Sequence, residues 1–570
     1  MKPITSLLCS LFAAAACSGQ ASPAPVAGAG TATAGTERPR LVVLCSVDQL
    51  ADWVFEAGLP HFAADGGFRR LLARGTRFPH CDYQHACSET GPGHATIGTG
   101  APAAAHGIVR NAWWYPAENK ALYCVAEPMA ALPGYPEGKD RGPGKLLVPT
   151  FAEGMRVQVP GSKIASVAWK DRSAILMAGK GADCVAWFEY STGNLVTNTA
   201  WGDKELPPWM AAFNQRRAID AFHGWNWDRL GPPEAYAGLV DDRPYEQAHG
   251  NGSNQRTLPQ PLTGGKPAPG VAFYSQVYSS PIGNEMVRLA AEACIAGMDL
   301  GADATPDLLC VSFSSTDLVG HAYGPDSVES RDALLRLDRQ LGAFLSYLDA
   351  QVGSDRYALF LTADHGVGPT PEWAKAQGLD AGRGLLQTMA RAAAEKALLE
   401  RFGPPPSGKR YVAHVGEYSL YFDPQVLAAN RGQLDEKACY REACEVAAVA
   451  AAKAPGMLAA FPSDDVHDRS AKDPIRRSLA FALCTGRAGD VQIVVKPYWL
   501  DGATPASHGT PHPYDREVVG LAMGPGIAAG KVLDAPITPG FGTVLFAQML
   551  GIQPPAAAVD TVPAGLFDAR

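Results

Sequence analysis

The sequence contains no CxxC pair, so a thiolate zinc knuckle has no support despite twelve cysteines in 570 residues. It contains no internal repeat, which argues against a repeat architecture. Beyond the N-terminus there is no run of about 18 uninterrupted apolar residues, so no segment reads as a transmembrane span. An excess of basic charge is also missing. Lys and Arg number 49 against 57 Asp and Glu, a net charge of -8. That balance excludes the electrostatic footprint of a nucleic-acid binder. A small anion remains an acceptable partner, because a local metal or arginine site outweighs the global charge.

What is present describes a globular chain. Hydrophobic residues make up 46% and charged residues 19%, over a length that supports a large core. The N-terminus, "MKPITSLLCSLFAAAACSGQASPAP", has one lysine, a short apolar run and then small residues. Residues 1–21 therefore read as a secretory signal peptide cleaved after Ala21. Ala16-Cys17 offers the alternative of a lipoprotein site with a lipid anchor on Cys17. Residues 22–38, rich in Ala, Gly, Pro and Ser, read as a linker before one domain over 39–570. Export to the periplasm or beyond makes disulfides feasible. The close pairs Cys81/Cys87 and Cys439/Cys444 are the candidates, with connectivity left open.

Three apolar runs each end in a polar residue: "LVVLCSVD" (41–48), "LLCVSFSSTD" (308–317) and "YALFLTADH" (357–365). Helical patterns separate them, at 280–298 and at 326–350, where Leu334, Leu335, Leu337, Leu341, Phe344 and Leu345 trace one apolar face. Alternating strands and helices predict an α/β fold, with a mostly parallel central sheet and helices on both faces. Residues 200–275 and 370–485 lack this pattern and read as inserted cap segments. The core is expected to resume at 490–500, continue through 517–526 and end in a helix near 541–551.

The chemistry gathers at the strand ends. In open α/β sheets ligands bind beyond the carboxyl ends of the strands. There the runs end in Asp48, Asp317 and the pair Asp364-His365. One such aspartate is an ordinary turn former; three together repel one another without a cation. "TDLVGHAYGPDS" adds His321 four residues after Asp317, and "SHGTPHPYD" supplies His508 between small residues. Aspartate and histidine are donors that suit zinc, and together they provide enough ligands for two ions. A further stretch, "CSETGPGHATIGTG" (87–100), sets Thr90 before Gly-Pro-Gly, as either a helix cap or a nucleophile. Pro92 predicts a helix start with free N–H groups for an anion.

The ordered set of Asp48, "TGPGHAT", "VRNAWW", D-x3-H, "DHG" and "HGT" resembles the alkaline phosphatase superfamily over most of the chain after residue 40. "ETGPGHATIGTG" followed by "HGIVRNAWW" looks most like its nucleotide pyrophosphatase and phosphate-irrepressible alkaline phosphatase branch. The C/S-x-P-x-R signature of a sulfatase is not matched at Thr90. The resemblance implies Thr90 as the nucleophile and two Zn²⁺. Asp317, His321 and His508 would hold one ion; Asp48, Asp364, His365 and Thr90 would hold the other. It further implies that Asn111, Lys170 and Arg172, the last two in "VAWKDRSA", contact the phosphoryl oxygens. His94 and His106 read as packing or supporting residues, and His512 is left out because Gly509, Pro511 and Pro513 break any helix there. Trp113 and Trp114 read equally as pocket lining or packing.

The function expected is an exported two-zinc phosphatase acting on small phosphate monoesters through a phosphothreonine. A phosphodiesterase or nucleotide pyrophosphatase on the same core is the alternative. A secreted non-catalytic binding protein is a second alternative, against which the complete ligand set counts. A cofactor-independent phosphoglycerate mutase shares the core, but a glycolytic role does not suit an exported chain.

Overall fold

The computed structural model describes residues 38–115, 118–128, 141–202, 205–247 and 256–568. The proposed signal peptide, Cys17 and nearly all of the linker lie outside these residues. No helix among the described residues is long and apolar enough to cross a membrane.

A nine-stranded sheet organises the chain. Its centre is four adjacent parallel strands: Tyr357–Thr362, Leu41–Val47, Asp307–Phe313 and Ile164–Ala168, in that order. Cys184–Phe188 adds a fifth parallel strand beside Ile164–Ala168. Every residue of these five strands is buried. Burial on both faces explains why they appear in the sequence as continuous apolar runs and not as alternating patterns. Antiparallel pairing is confined to the flanks. Leu521–Met523 joins Tyr357–Thr362 to Gly75–Arg77, and Leu195–Val196 closes the far edge. The expected helices form at Pro281–Met298 and Val328–Gln351, and the last helix at Phe541–Leu550. In Val328–Gln351 the predicted face is the buried one, with Leu334, Leu335, Leu337, Leu341, Phe344 and Leu345 all inside.

The helix Thr90–Thr99 is buried at all ten positions. Glycine makes that contact feasible. A Cβ on Gly93 would stand 1.9 Å from the Asp364 carbonyl oxygen, so only a bare backbone lets this helix touch the turn at Asp364. Gly100 ends the helix with φ +73°, in the left-handed region that favours glycine.

The excursion of 200–275 contributes two helices, Pro208–Gln215 and Val271–Tyr278, and a short ribbon of Asn226–Trp227 with Gln260–Pro261. It packs on the long helix, where the Trp227 indole donates to Asp332 at 2.7 Å. The later cap is a separate four-stranded sheet, ordered Val412–Gly416, Ser419–Phe422, Val491–Val495 and Met457–Pro462. The helices Leu386–Phe402 and Glu436–Ala451 pack with it in a second hydrophobic core. This corrects the expectation for 490–500: Val491–Val495 pairs inside the cap sheet, and the central sheet resumes only at Leu521.

The cysteine pairs need correction too. The ten cysteines of the described residues are all free thiols. Cys81 Sγ faces Thr362 Oγ1 at 3.7 Å, whereas Cys87 Sγ faces His85 Nδ1 at 3.4 Å. Cys439 and Cys444 share the helix Glu436–Ala451, and five helical steps turn their side chains roughly 140° apart.

Candidate active site

Four neighbouring strands deliver the site. Asp48 follows Leu41–Val47, Asp364 and His365 follow Tyr357–Thr362, and Asp317 lies in the helix Ser315–Tyr323 after Asp307–Phe313. Lys170, after Ile164–Ala168, occupies the N-cap position of the helix Asp171–Ala178. His321 comes one turn after Asp317 on its helix, and His508 arrives from a distant loop.

These side chains converge as the sequence requires. Asp317, His321 and His508 present ligand atoms within 4.8 Å of one another, and so do Asp48, Asp317 and His365. His321 Nε2 stands 3.1 Å from Asp317 Oδ1, with His508 Nε2 3.7 Å from the same oxygen. His365 Nε2 lies 3.4 Å from Asp48 and 3.5 Å from Asp364. Asp317 thus belongs to both groupings, while Asp364 stands beside His365 and also meets His94 Nδ1 at 3.2 Å.

The backbone selects the tautomers. His321 Nδ1 lies 2.9 Å from the Ala506 carbonyl, His508 Nδ1 2.8 Å from that of Ser88, and His365 Nδ1 3.0 Å from that of Gly366. A carbonyl only accepts, so each Nδ1 carries the proton and each Nε2 lone pair faces the carboxylates. That is the orientation of three metal-ligating imidazoles.

Charge in this space is unbalanced. Lys170 Nζ sits 2.6 Å from Asp48 and 2.7 Å from Asp317. Burial opposes ionisation of both aspartates, but Lys170 overrides it and holds them below the usual carboxylate range. At Asp364 Lys170 does not prevail; burial and then the neighbouring Asp48 drive its carboxyl well above that range. Burial, followed by His365 and His321, depresses His508. Asp48 Oδ1, Asp364 Oδ2 and His365 Nε2 are buried without hydrogen-bond partners. Orphaned oxygen and nitrogen atoms around one small space fit divalent cations held by Asp and His, and zinc in particular.

Thr90 lies beside this cluster. Glu89 is the N-cap of its helix, and Thr90 is the first helical residue. The cap reading of Thr90 therefore fails. Its Oγ1 instead lies 3.3 Å from Lys170 Nζ and 3.3 Å from an Arg172 nitrogen. The helix itself offers less to an anion than Pro92 promises. The Gly91 amide donates to Asn111 Oδ1 at 2.7 Å and the Gly93 amide to the Glu89 carbonyl at 2.8 Å. Pro92 has no N–H at all. An anion here would depend on side chains, and Lys170 and Arg172 are the cations at Thr90 Oγ1.

Several supporting residues escape a reading of the sequence. Glu89 pairs with Arg110 at 2.8 Å and accepts the Asn111 backbone amide at 2.8 Å, which fixes Asn111. Tyr123 accepts from Arg172 at 3.2 Å while donating to Asp171 at 2.6 Å. Gln49 donates its side-chain amide to Asp317 at 2.7 Å and its backbone amide to Asp364 at 3.1 Å. Only Gln49 has a local signal, the polar residue directly after a strand-end aspartate.

The remaining sequence candidates have ordinary places. His94 bridges the Thr90 carbonyl and Ser312 at 2.8 Å each, and burial lowers its pKa to about 3. His106 meets Thr96, and His512 meets the Val495 carbonyl. Trp113 is buried in a hydrophobic cluster, whereas Trp114 stacks on His414 of the cap at 4.5 Å.

An α/β sheet with acid and imidazole side chains at its carboxyl edge, and a hydroxyl between two cations, fits a phosphoryl-transfer class. The chain belongs to the type I phosphodiesterase / nucleotide pyrophosphatase family, whose model matches residues 42–512. This places it in the alkaline phosphatase superfamily. It is 30% identical over 504 residues to alkaline phosphatase PafA of Elizabethkingia meningoseptica, covering 88% of this chain and 89% of that one. It is likewise 30% identical over 509 residues to a Myroides odoratus protein named calcium-transporting ATPase, covering 87% and 89%. A crystal structure of wild-type PafA superimposes with a TM-score of 0.85 at 28% identity, over 94% of this chain and all of that one.

Proposed function

We propose that the chain is an exported phosphatase that hydrolyses small phosphate monoesters at two zinc ions through a phosphothreonine on Thr90. The observation that carries this reading is the placement of Thr90 Oγ1, 3.3 Å from both Lys170 Nζ and an Arg172 nitrogen. A nucleophile for a dianion needs such cations at the position of the non-bridging oxygens. Asp317, His321 and His508 would hold one zinc; Asp48, Asp364, His365 and Thr90 the other. When bound, the pair supplies Lewis-acid stabilisation of charge on the attacking and leaving oxygens.

The chain's own residues do the rest. Thr90 gives its hydroxyl proton to water, its Oγ1 forms the new bond to phosphorus as the bond to the alcohol oxygen breaks, and the departing alkoxide takes a proton from water. Water then attacks the phosphothreonine, releasing phosphate and restoring the Thr90 hydroxyl. Lys170 and Arg172 bind the equatorial oxygens. Burial opposes the charge on Lys170, but Asp317 and Asp48 hold its pKa above the ordinary value, so it acts as a cation and not as a base. Asn111 orients a further oxygen through its amide nitrogen.

The family match keeps a phosphodiesterase in view. The two readings separate at Arg172, which is anchored by Tyr123 and turned to Thr90. A diester carries less charge and has a second substituent on phosphorus. Arg172→Ala is therefore expected to lower monoester kcat/KM by roughly 10- to 1000-fold, about 1.4 to 4 kcal/mol. Diester turnover should fall less. Parallel assays with an aryl monoester and an aryl diester decide it, and equal losses would assign the arginine to structure.

Export rests on residues 1–21 alone. Mass spectrometry of protein from its host should find a mature chain starting after Ala21 or at a lipid-modified Cys17. An intact Met1 terminus on cytoplasmic protein would end that part of the proposal.

A further inference from the structure

A second acidic cluster lies apart from the ligands described above. Asp241 and Glu246, in the excursion, meet Glu329 of the helix Val328–Gln351, with one oxygen of each within 4.8 Å of the others. Acidic side chains often gather without purpose on a surface, but here two of the three are inside. Glu329 is 0% exposed and Glu246 is 4% exposed. Neither Glu329 oxygen has a hydrogen-bond partner, and Glu246 Oε1 has none either. Burying carboxylate oxygens unpaired costs several kcal/mol unless something replaces the lost water.

Local structure offers no other purpose for Glu329. The helix is already capped by Ser327, whose hydroxyl accepts the Ser330 amide at 3.0 Å. Arg229, whose charge acts on Glu329, is spent on Asp241 at 2.6 Å, and Arg243 on Asp326 at 2.5 Å. Burial, then Asp241 and Glu246, pushes the Glu329 carboxyl up to about 9. The three residues present only oxygen. Carboxylates without imidazole or thiolate form a hard donor set, which suits calcium and leaves zinc to the Asp/His cluster.

We propose that Asp241, Glu246 and Glu329 form a structural calcium site, distinct from the two-zinc centre. Further oxygens would come from water and backbone carbonyls, as calcium takes six to eight. The site would fasten the excursion to the core beside the helix Ser315–Tyr323. Gln247, one residue after Glu246, donates its backbone amide to the Ala322 carbonyl at 2.8 Å, next to His321. Calcium bound at Glu246 therefore steadies the helix that presents Asp317 and His321, without touching substrate.

The test is calcium titration of the full, zinc-loaded protein by calorimetry, with thermal unfolding measured in parallel. Wild type should show one saturable binding event and a thermal midpoint raised by a few degrees in calcium. Glu329→Gln keeps the shape of the protonated side chain and removes its charge. It should fold, keep its zinc content, and lose both the heat and the calcium-dependent shift. Glu246→Gln is measured beside it, in case the first variant does not fold. No binding by wild type at millimolar calcium would overturn the proposal. So would undiminished binding by a folded variant, which would place the calcium elsewhere. Zinc content, read separately by elemental analysis, shows whether the two-zinc reading has failed instead.

Discussion

Thr90→Ala should yield a folded, zinc-loaded protein that has lost roughly 1000-fold or more of its phosphatase kcat, about 4 kcal/mol in barrier. Thr90→Ser should keep a substantial part of it. The structure predicts this contrast because Thr90 is not the N-cap of its helix and its Oγ1 faces Lys170 and Arg172. Removing that oxygen deprives phosphorus of its acceptor but leaves Lys170 on its aspartates and Arg172 on Tyr123. The stability cost is therefore small, about 1 kcal/mol. Serine restores the oxygen and omits only a methyl. Circular dichroism, zinc content and steady-state turnover on an aryl monoester make the test. Near-normal turnover by the folded alanine variant would remove Thr90 from the chemistry.

Removing metal should have an effect as large. Protein purified without chelator is expected to carry two zinc ions per chain, and EDTA should abolish turnover, with zinc restoring it. The reason is electrostatic. Three buried aspartates meet one lysine, and Asp364 is left with a strongly raised pKa and an orphaned oxygen. Without divalent charge the site favours a protonated Asp364, and Lys170 is held on Asp48 and Asp317 when it is needed for phosphate. Metal-free protein should thus lose phosphate affinity as well as rate. Calorimetry with inorganic phosphate on chelated and zinc-loaded protein measures the first, and turnover the second. Full activity in chelated, metal-free protein would defeat the scheme.

Much of this centre can be read from the chain because strand ends are legible. A strand buried on both faces leaves an uninterrupted apolar run, and the polar residue that ends it marks the functional edge. Asp48, Asp364 and His365 are legible in this way, whereas Asp317 sits beyond its strand, in the helix Ser315–Tyr323. The same logic misplaces 490–500, because an apolar run looks alike whether its partners lie in the central sheet or the cap. Cys439 and Cys444 are close in sequence but diverge on a helix. Glu89, Arg110 and Tyr123 act through single contacts across 20 residues or more, a relation with no period and no local signature. Lys170 shows the limit from another side. The family resemblance, not the K-x-R pair alone, implies phosphate binding, yet the lysine's nearest partners are two carboxylates, which only the folded charge distribution reveals.

The sheet order also bears on how the chain is made. Gly75–Arg77 reaches the central sheet only through Leu521–Met523, and that late strand also covers the flank of Tyr357–Thr362. During synthesis about 440 residues must follow the first of these strands before its partner exists, and ribosomes at roughly 5–20 residues per second take tens of seconds to supply them. Once made, the strand leading to Asp364 and His365 shows an open, apolar edge to any other chain nearby until Leu521–Met523 follows, about 160 residues later. The final fifty residues, which supply the covering strand, are therefore expected to bear on yield at high expression rates although they contribute no candidate ligand.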